Sequence, residues 1–195
     1  MSEILVLYCS KGGSTEALAR HVSRGVDGVD GMASRLRTVP AVSSVAEASE
    51  EAVPEAGPPY VTSQDLVECA GLIMGSPTRF GNMDAALKYF LDGTVGEWMS
   101  GSCVGKPFGL FTSTSSLHGG QESTLLSMAL PLIHHGMIYV GIPWTEPEMS
   151  TTTTGGTPYG ASHVSWSREN ELSNDEKKLA QALGKRVAEI AAKLS

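Results

Sequence analysis

The 195-residue chain predicts an α/β fold: a doubly wound, five-stranded parallel sheet of order 2-1-3-4-5 with helices on both faces. Three observations predict it. Short apolar runs recur along the chain and are continuous, as strands buried on both faces require. Segments with apolar residues at helical spacing lie between them, so strands return through helical crossovers and run parallel. The loops after the first, third and fourth runs are the richest in Gly, Ser, Thr and His. In such sheets those loops meet at the reversal of strand order, where ligands bind.

Each element follows in order. Ile4–Tyr8 is an apolar run of strand formers and reads as the buried first strand. From Ser14 the spacing becomes helical, with Leu18 and Val22 one turn apart and Gly25 as the expected helix end. Met32–Val39 sets Leu36 and Val39 among Arg35 and Arg37, which suits a sheet edge. Residues 40–62 are small, acidic and proline-rich, and read as a surface insertion. Gly71–Gly75 is the next buried strand. "SPTRFGN" follows it, then a helix expected from an Asn82 cap to Asp92 with Ala86, Leu87 and Phe90 on one face. Trp98 falls in an expected loop. Pro107–Thr112 is another buried strand, followed by "STSSLHGGQE" and a helix from about Glu122 to His135. Met137–Val140 is the fifth strand, and residues 141–172 read as a long loop. "SNDE" is a capping box with Ser173 at the cap and Glu176 three residues on. It opens a last helix with Leu179, Leu183, Val187, Ile190 and Leu194 as its apolar stripe. One domain, residues 1–195, accommodates all of this.

A net charge of -7 argues against nucleic acid and anionic membranes as partners. Cys9, Cys69 and Cys103 are far apart and odd in number, which fits a reducing cytoplasm and no metal site. Ile4–Leu7 is only strand-length, so no leader is expected, and no apolar run reaches the roughly 18 residues of a membrane span.

The loop "YCSKGGSTE" carries the strongest local signal. Ser10, Ser14 and Thr15 offer hydroxyls, and Gly12 and Gly13 let backbone N–H groups face an anion at a helix N-terminus. Lys11 precedes both glycines, so the loop is no triphosphate P-loop, and the G-x-G-x-x-G dinucleotide spacing is absent. A cradle for a single phosphate monoester remains, beside the plain alternative of a glycine-rich turn. In "SPTRFGN", Pro77 stiffens the loop, Gly81 permits a tight turn, Arg79 supplies a fixed cation and Phe80 a stacking ring. A solvated arginine and a core phenylalanine are the alternative. "STSSLHGGQE" offers hydroxyls, backbone donors and His118. His134 and His135 sit at a helix end. Adjacent histidines point apart there and no third ligand is nearby, so no metal is expected. Trp98 suits a pocket lid, an interface or simple loop packing.

Taken together, "VLYCSKGGSTE", "GSPTRFGNM", "STSSLHGGQE", "HHGM" and "GGTPYGA" resemble the flavodoxin-like NAD(P)H:quinone oxidoreductases of the tryptophan-repressor-binding protein (WrbA) family, over nearly the whole chain. The resemblance implies a flavodoxin-like fold and non-covalent FMN, with NADH or NADPH as co-substrate and a quinone as acceptor. It implies that Ser10, Lys11, Gly12, Gly13, Ser14 and Thr15 bind the phosphate. Thr78, Arg79 and Phe80 would lie along the isoalloxazine ring, in the loop that also holds Pro77 and Gly81. Ser113, Thr114, Ser115, Ser116, Leu117, His118 and Gly119 would edge the ring and ribityl chain, and His134 would face the pocket. Trp98 matches a nicotinamide contact, and the family's tetramers wall the pocket with neighbouring subunits. Two positions depart from the family pattern: some members have an aromatic residue at Gly12, and glycine is frequent at Ser115. The mechanism expected is ping-pong, two-electron transfer through FMN, with Arg79 steadying charge on the reduced flavin and His134 serving the quinone oxygen. A single-electron carrier on the same fold is the alternative. A regulatory receiver domain would need acidic residues where this chain has "SKG" and "SPT".

Overall fold

The computed structural model describes residues 2–42, 57–165 and 171–194. The elements in chain order are β1 (Ser2–Tyr8), α1 (Ser14–Asp27), β2 (Met32–Thr38), α2 (Ser63–Glu68), β3 (Gly71–Pro77), α3 (Ala85–Asp92) and α4 (Val95–Met99). They continue with β4 (Pro107–Thr114), α5 (Gln121–His134), β5 (Ile138–Tyr139), α6 (Glu148–Thr151), β6 (Ala161–Val164) and α7 (Asn174–Leu194). The sheet order is β2-β1-β3-β4-β5 and all pairings are parallel, as expected.

Side chains alternate across the central strands. Ile4, Val6 and Tyr8 of β1 join a core beneath α1 and α7, while Leu5, Leu7 and Cys9 join a second core beneath α3 and α5. A strand apolar at every position therefore serves two layers at once. The edge strand β2 is only half-buried, and Arg35 there pairs with Glu3, Asp65 and Glu68. Charge along this edge discourages pairing with another chain.

The first helix passes through Gly25 and ends at Asp27, because Gly25 is a packing residue. A Cβ on it would lie 2.0 Å from the Gln181 carbonyl oxygen of α7. Gly184 of α7 does the reverse, its added Cβ falling 2.1 Å from the Val22 carbonyl oxygen. The two glycines let α1 and α7 approach backbone to backbone. Ile190 is partly buried and Leu194 is exposed, so the buried stripe of α7 runs through Ala180, Ala188 and Ala191 as well as the expected leucines and valine.

Three stretches differ from expectation. Asp84, and not Asn82, is the cap of α3: its carboxylate accepts from Ala86 N at 3.2 Å. The segment around Trp98 is a short helix, α4. The fifth strand position is filled twice. Ile138–Tyr139 pairs with Pro107–Phe108, and after an excursion Ala161–Val164 pairs with Phe111–Thr114. Of the expected insertion at 40–62, residues 43–56 lie outside the described residues, as do 166–170 of the expected loop at 141–172. Among the described residues no helix is long and apolar enough to cross a membrane.

A buried carboxylate fastens the returning strand β6. Glu176, at the start of α7, accepts from Gly155 N (2.9 Å), Val164 N (3.1 Å) and Ser173 N (2.8 Å). Ser173 Oγ accepts from Glu176 N in return, completing the expected capping box. His163 Nδ1 lies 3.0 Å from Glu176 Oε2 and donates to it, since an ionised carboxylate only accepts. Burial alone would raise the Glu176 carboxyl. The hydrogen bonds from His163, Ser173 N and Val164 N, with the His163 charge, outweigh it and hold the pKa at about 2, below the ordinary 4.5.

A depressed carboxyl stabilises the fold fully above its unfolded value and loses that contribution as pH falls through 4.5 toward 2. Glu176→Gln is therefore expected to lower the unfolding free energy at neutral pH by about 2–4 kcal/mol. It also flattens the acid limb of stability, as read by denaturant unfolding at stepped pH. An unchanged acid limb would refute the assignment.

Candidate active site

The site forms where strand order reverses, between β1 and β3. Cys9 N donates to Gly75 O at 3.0 Å, so the two strands leave the sheet side by side. Ser10 Oγ accepts from Gly13 N at 3.1 Å and folds the first loop back on itself. Gly13 has φ 87°, a left-handed conformation suited to glycine, and starts α1 with no side-chain cap. The helix N-terminus thus opens onto the loop, where its amides and dipole favour an anion. A Cβ on Gly12 would meet nothing within 4 Å, so this position is open to a ligand.

The three loops are locked together by buried hydroxyls. Thr15 Oγ1 and Ser113 Oγ lie 2.9 Å apart, joining the first turn of α1 to the end of β4. Thr78 N donates to Ser113 O at 3.0 Å, and Thr78 Oγ1 lies 2.7 Å from Thr124 Oγ1 of α5. Thr114 Oγ1 donates to Ser116 O at 2.8 Å, and Gly119 N donates to the same oxygen at 3.1 Å, closing the third loop into a tight turn.

Arg79 and Asn82 exchange two backbone hydrogen bonds, at 2.8 and 3.0 Å. Between them Phe80 (φ 54°) and Gly81 (φ 78°) are both left-handed, the signature of a type I′ turn. A non-glycine residue there costs on the order of 1 kcal/mol. The turn projects the Phe80 ring fully into solvent, so it is no core residue.

The resulting cleft has a volume of about 210 Å³ and twelve lining residues. Eight bear hydroxyls, two (Lys11 and Arg79) are cations, and none is a carboxylate. Of the expected residues, Ser10, Lys11, Gly12, Ser14, Thr15, Pro77, Thr78, Arg79, Ser113, Thr114 and Ser115 line it. Gly13, Phe80, Gly81, Ser116, Leu117, His118 and Gly119 belong to the same loops without lining it. Trp98 and His134 are elsewhere in this chain. They border a separate hollow of about 340 Å³ with Leu91, Val95 and Pro131, and Trp98 Nε1 donates to His134 O at 2.9 Å. His135 behaves differently from its exposed neighbour. It is buried beside Thr94 Oγ1 at 3.0 Å, and burial pushes its imidazole pKa down.

Two site residues escape the sequence reading. Ser165 lines the cleft from the end of β6, a strand read as loop. Asp84 stands behind the cleft, its Oδ2 at 3.1 Å from Arg79 Nε and 3.8 Å from Lys11 Nζ. The sequence signal for it was an aspartate immediately before a helical run, which suits a cap better than Asn82 two residues earlier.

Parallel strands that end in a cleft lined by hydroxyls and no carboxylate, at the β1–β3 switch point, define a flavodoxin-like α/β protein. Solved structures share the fold. A WrbA-like flavodoxin from Agrobacterium tumefaciens aligns over 100% of both chains with a TM-score of 0.73 at 23% identity. An archaeal flavodoxin covers 97% of this chain and 99% of its own, with a TM-score of 0.63 at 18% identity. The family model for NADPH-dependent FMN reductase matches residues 2–146, and the chain belongs to that family. Curated relatives span its full length. An NAD(P)H dehydrogenase (quinone) of Chromohalobacter salexigens is 40% identical, covering 100% of both chains. One of Solidesulfovibrio magneticus is 38% identical, covering 98% of each.

All three cysteines are free and buried. Burial raises the Cys9 thiol to about 11, with Asp84 adding to the rise while Lys11 and Arg79 oppose it. Burial likewise raises Cys69 to about 11 and pushes Cys103 up. Native protein at pH 8 is expected to give no rapid reaction with a disulfide reagent such as DTNB, and to titrate fully in denaturant. Fast native reaction at Cys9 would show an accessible thiolate beside the cleft.

Proposed function

We propose that the chain is an FMN-dependent NAD(P)H:quinone oxidoreductase. The observation that carries the reading is the cleft itself: eight hydroxyls, two cations and no carboxylate around an uncapped helix N-terminus. This donor set fits a phosphate monoester attached to a larger group, and its position at the switch point of the sheet supports FMN as that group. The names of the full-length relatives supply the reaction class.

In this reading FMN, when bound, would supply two-electron redox chemistry between a nicotinamide and a quinone. The chain's own residues do the rest. Ser10, Ser14 and Thr15 hydroxyls, with the amide of Gly12, would hold the phosphate without a lysine at the P-loop position, while the Gly13 amide folds the loop by donating to Ser10 Oγ. Thr78, fixed by Thr124 and Ser113, aligns the second loop against the ring. Arg79, a cation in the cleft lining, would steady negative charge on the reduced ring. Phe80 offers an exposed aromatic face to a planar ligand.

Assembly belongs to the same proposal. Leu126, Leu130 and Ile133 form an exposed stripe on α5, and Val95, Trp98 and Met99 of α4 are exposed as well. Apolar area of this extent on contiguous helices fits burial against further copies of the chain, in a tetramer. Such packing would bring one subunit's Trp98 and His134 to another's cleft. Trp98 would then contact the nicotinamide, and His134 would deliver a proton to the quinone oxygen, as an imidazole can near neutral pH. The three unpaired cysteines support a reducing, cytoplasmic setting.

Purified protein is expected to bind FMN stoichiometrically and to oxidise NADH or NADPH steadily with a benzoquinone and no separate reductase. Failure to bind FMN would overturn the reading. Binding with no turnover unless a reductase is added would favour a single-electron carrier.

Leu130→Glu with Ile133→Lys is expected to shift the protein to dimers or monomers in analytical ultracentrifugation and to reduce turnover by about tenfold or more through loss of the shared wall. A monomeric wild type with full turnover would refute the assembly.

A further inference from the structure

Asp84 is buried, and its two oxygens divide their work. One accepts from Ala86 N and caps α3. The other faces Arg79 Nε at 3.1 Å and Lys11 Nζ at 3.8 Å. Its backbone N–H is itself fixed, donating to Ser76 Oγ at 2.8 Å, so the carboxylate is anchored to β3. Capping needs no charge, since asparagine or serine caps as well. The guanidinium is held from a second side, where Arg79 Nη1 donates to Thr78 O at 2.8 Å. Arg79 and Lys11 also border a second hollow of about 460 Å³ with Asp84 and Lys88, so they form a ridge between two open spaces. A free arginine on that ridge could swing to either side.

We infer that Asp84 is a positioning residue: it fixes the Arg79 guanidinium on the ridge from the side of the second hollow and offsets part of the positive charge that Arg79 and Lys11 present to the cleft. The redox consequence rests on the FMN reading above, while the charge arrangement rests on the distances alone. Reduction adds negative charge to the flavin ring, and a fixed carboxylate nearby makes that addition costlier. Asp84 therefore keeps the bound flavin at a lower reduction potential than the two cations alone would, and so a stronger donor to quinone. The same charge weakens the cleft's hold on any simple anion.

The test uses the full chain with Asp84→Asn, which keeps the cap acceptor and the shape but removes the charge. Asp84→Ser is a second, cap-preserving variant. Protein without flavin is titrated with inorganic phosphate, and the Kd is expected to fall roughly two- to fivefold in both variants. In arginine-selective NMR, the Arg79 Nε–H signal is expected to be resolved in the wild type and broadened by exchange in the variants. On FMN-loaded protein, the midpoint potential is expected to shift positive. Unchanged phosphate affinity, an unchanged arginine signal and an unchanged potential, with only a lower Tm, would reduce Asp84 to a helix cap and overturn the inference. Absence of FMN binding would overturn the proposed function instead, while the phosphate and arginine readouts would still decide the role of Asp84.

Discussion

The buried carboxylate of Glu176 ties together parts of the chain that have little else to hold them. Gly155, Val164 and Ser173 all donate backbone N–H groups to it, and the His163 ring does the same. Those donors belong to the excursion after β5, to the short strand β6 and to the entry of α7. Each would otherwise be an unpaired polar group in the interior, at a cost of about 1–3 kcal/mol. A four-residue strand supplies too few ladder bonds to dock alone. The carboxylate lets it dock, and β6 then lies beside the last four residues of β4, so that Ser113 faces His163 in the register.

This matters for the site because Ser113 is its crossing point. It accepts from Thr78 N through its carbonyl and meets Thr15 through its hydroxyl. Ser165, the residue after β6, donates its N–H to Thr114 O at 2.8 Å and contributes to the cleft wall. The fastening at Glu176 thus reaches the cleft through two neighbouring strands. Rigidity of this kind is what a cradle of neutral donors requires. Hydroxyls and amides act at short range, and their benefit to an anion disappears with small displacements.

Much of this was legible in the sequence where one signal dominated. The continuous apolar runs gave β1, β3 and β4, and the Gly-Ser-Thr loops after them gave the cleft, because packing and ligand contact both act locally there. Ser173 and Glu176 were legible as a capping box, though not as the receptor for His163 and Gly155, since those partners come from the excursion and no spacing rule links them. Strand β6 was not legible: "ASHV" is four residues long, carries a serine and a histidine, and follows a glycine-rich stretch. Its burial is accompanied by Gln121 and Glu176, which bond the Ser162 hydroxyl and His163 Nδ1 across the structure. Gly25 looked like a helix stop because a mid-helix glycine is unfavourable by about 1 kcal/mol. The close approach of α7 overrides that propensity. Asp84 was missed because Asn82, two residues earlier, is also a cap-forming residue, and no spacing rule shows that the Asp84 carboxylate meets the two cations.

The charge pattern around the cleft also answers why the first loop carries a lysine in the wrong place for a P-loop. Lys11 is exposed, and its nearest acidic group is Asp84 at 3.8 Å, behind the cleft. Lys11 thus lines the cleft from before the two glycines and not from the P-loop position after them. Phosphate recognition, as proposed, is left to hydroxyls and backbone amides. Arg79 is likewise restrained, by Asp84 on one side and by the Thr78 carbonyl on the other. The cleft therefore separates two tasks. In the proposed reading, neutral donors bind the cofactor's phosphate, and a pair of partly compensated cations sets the electrostatics further along. Binding strength and redox poise can then be adjusted at different residues, which a site built on one strong cation would not allow.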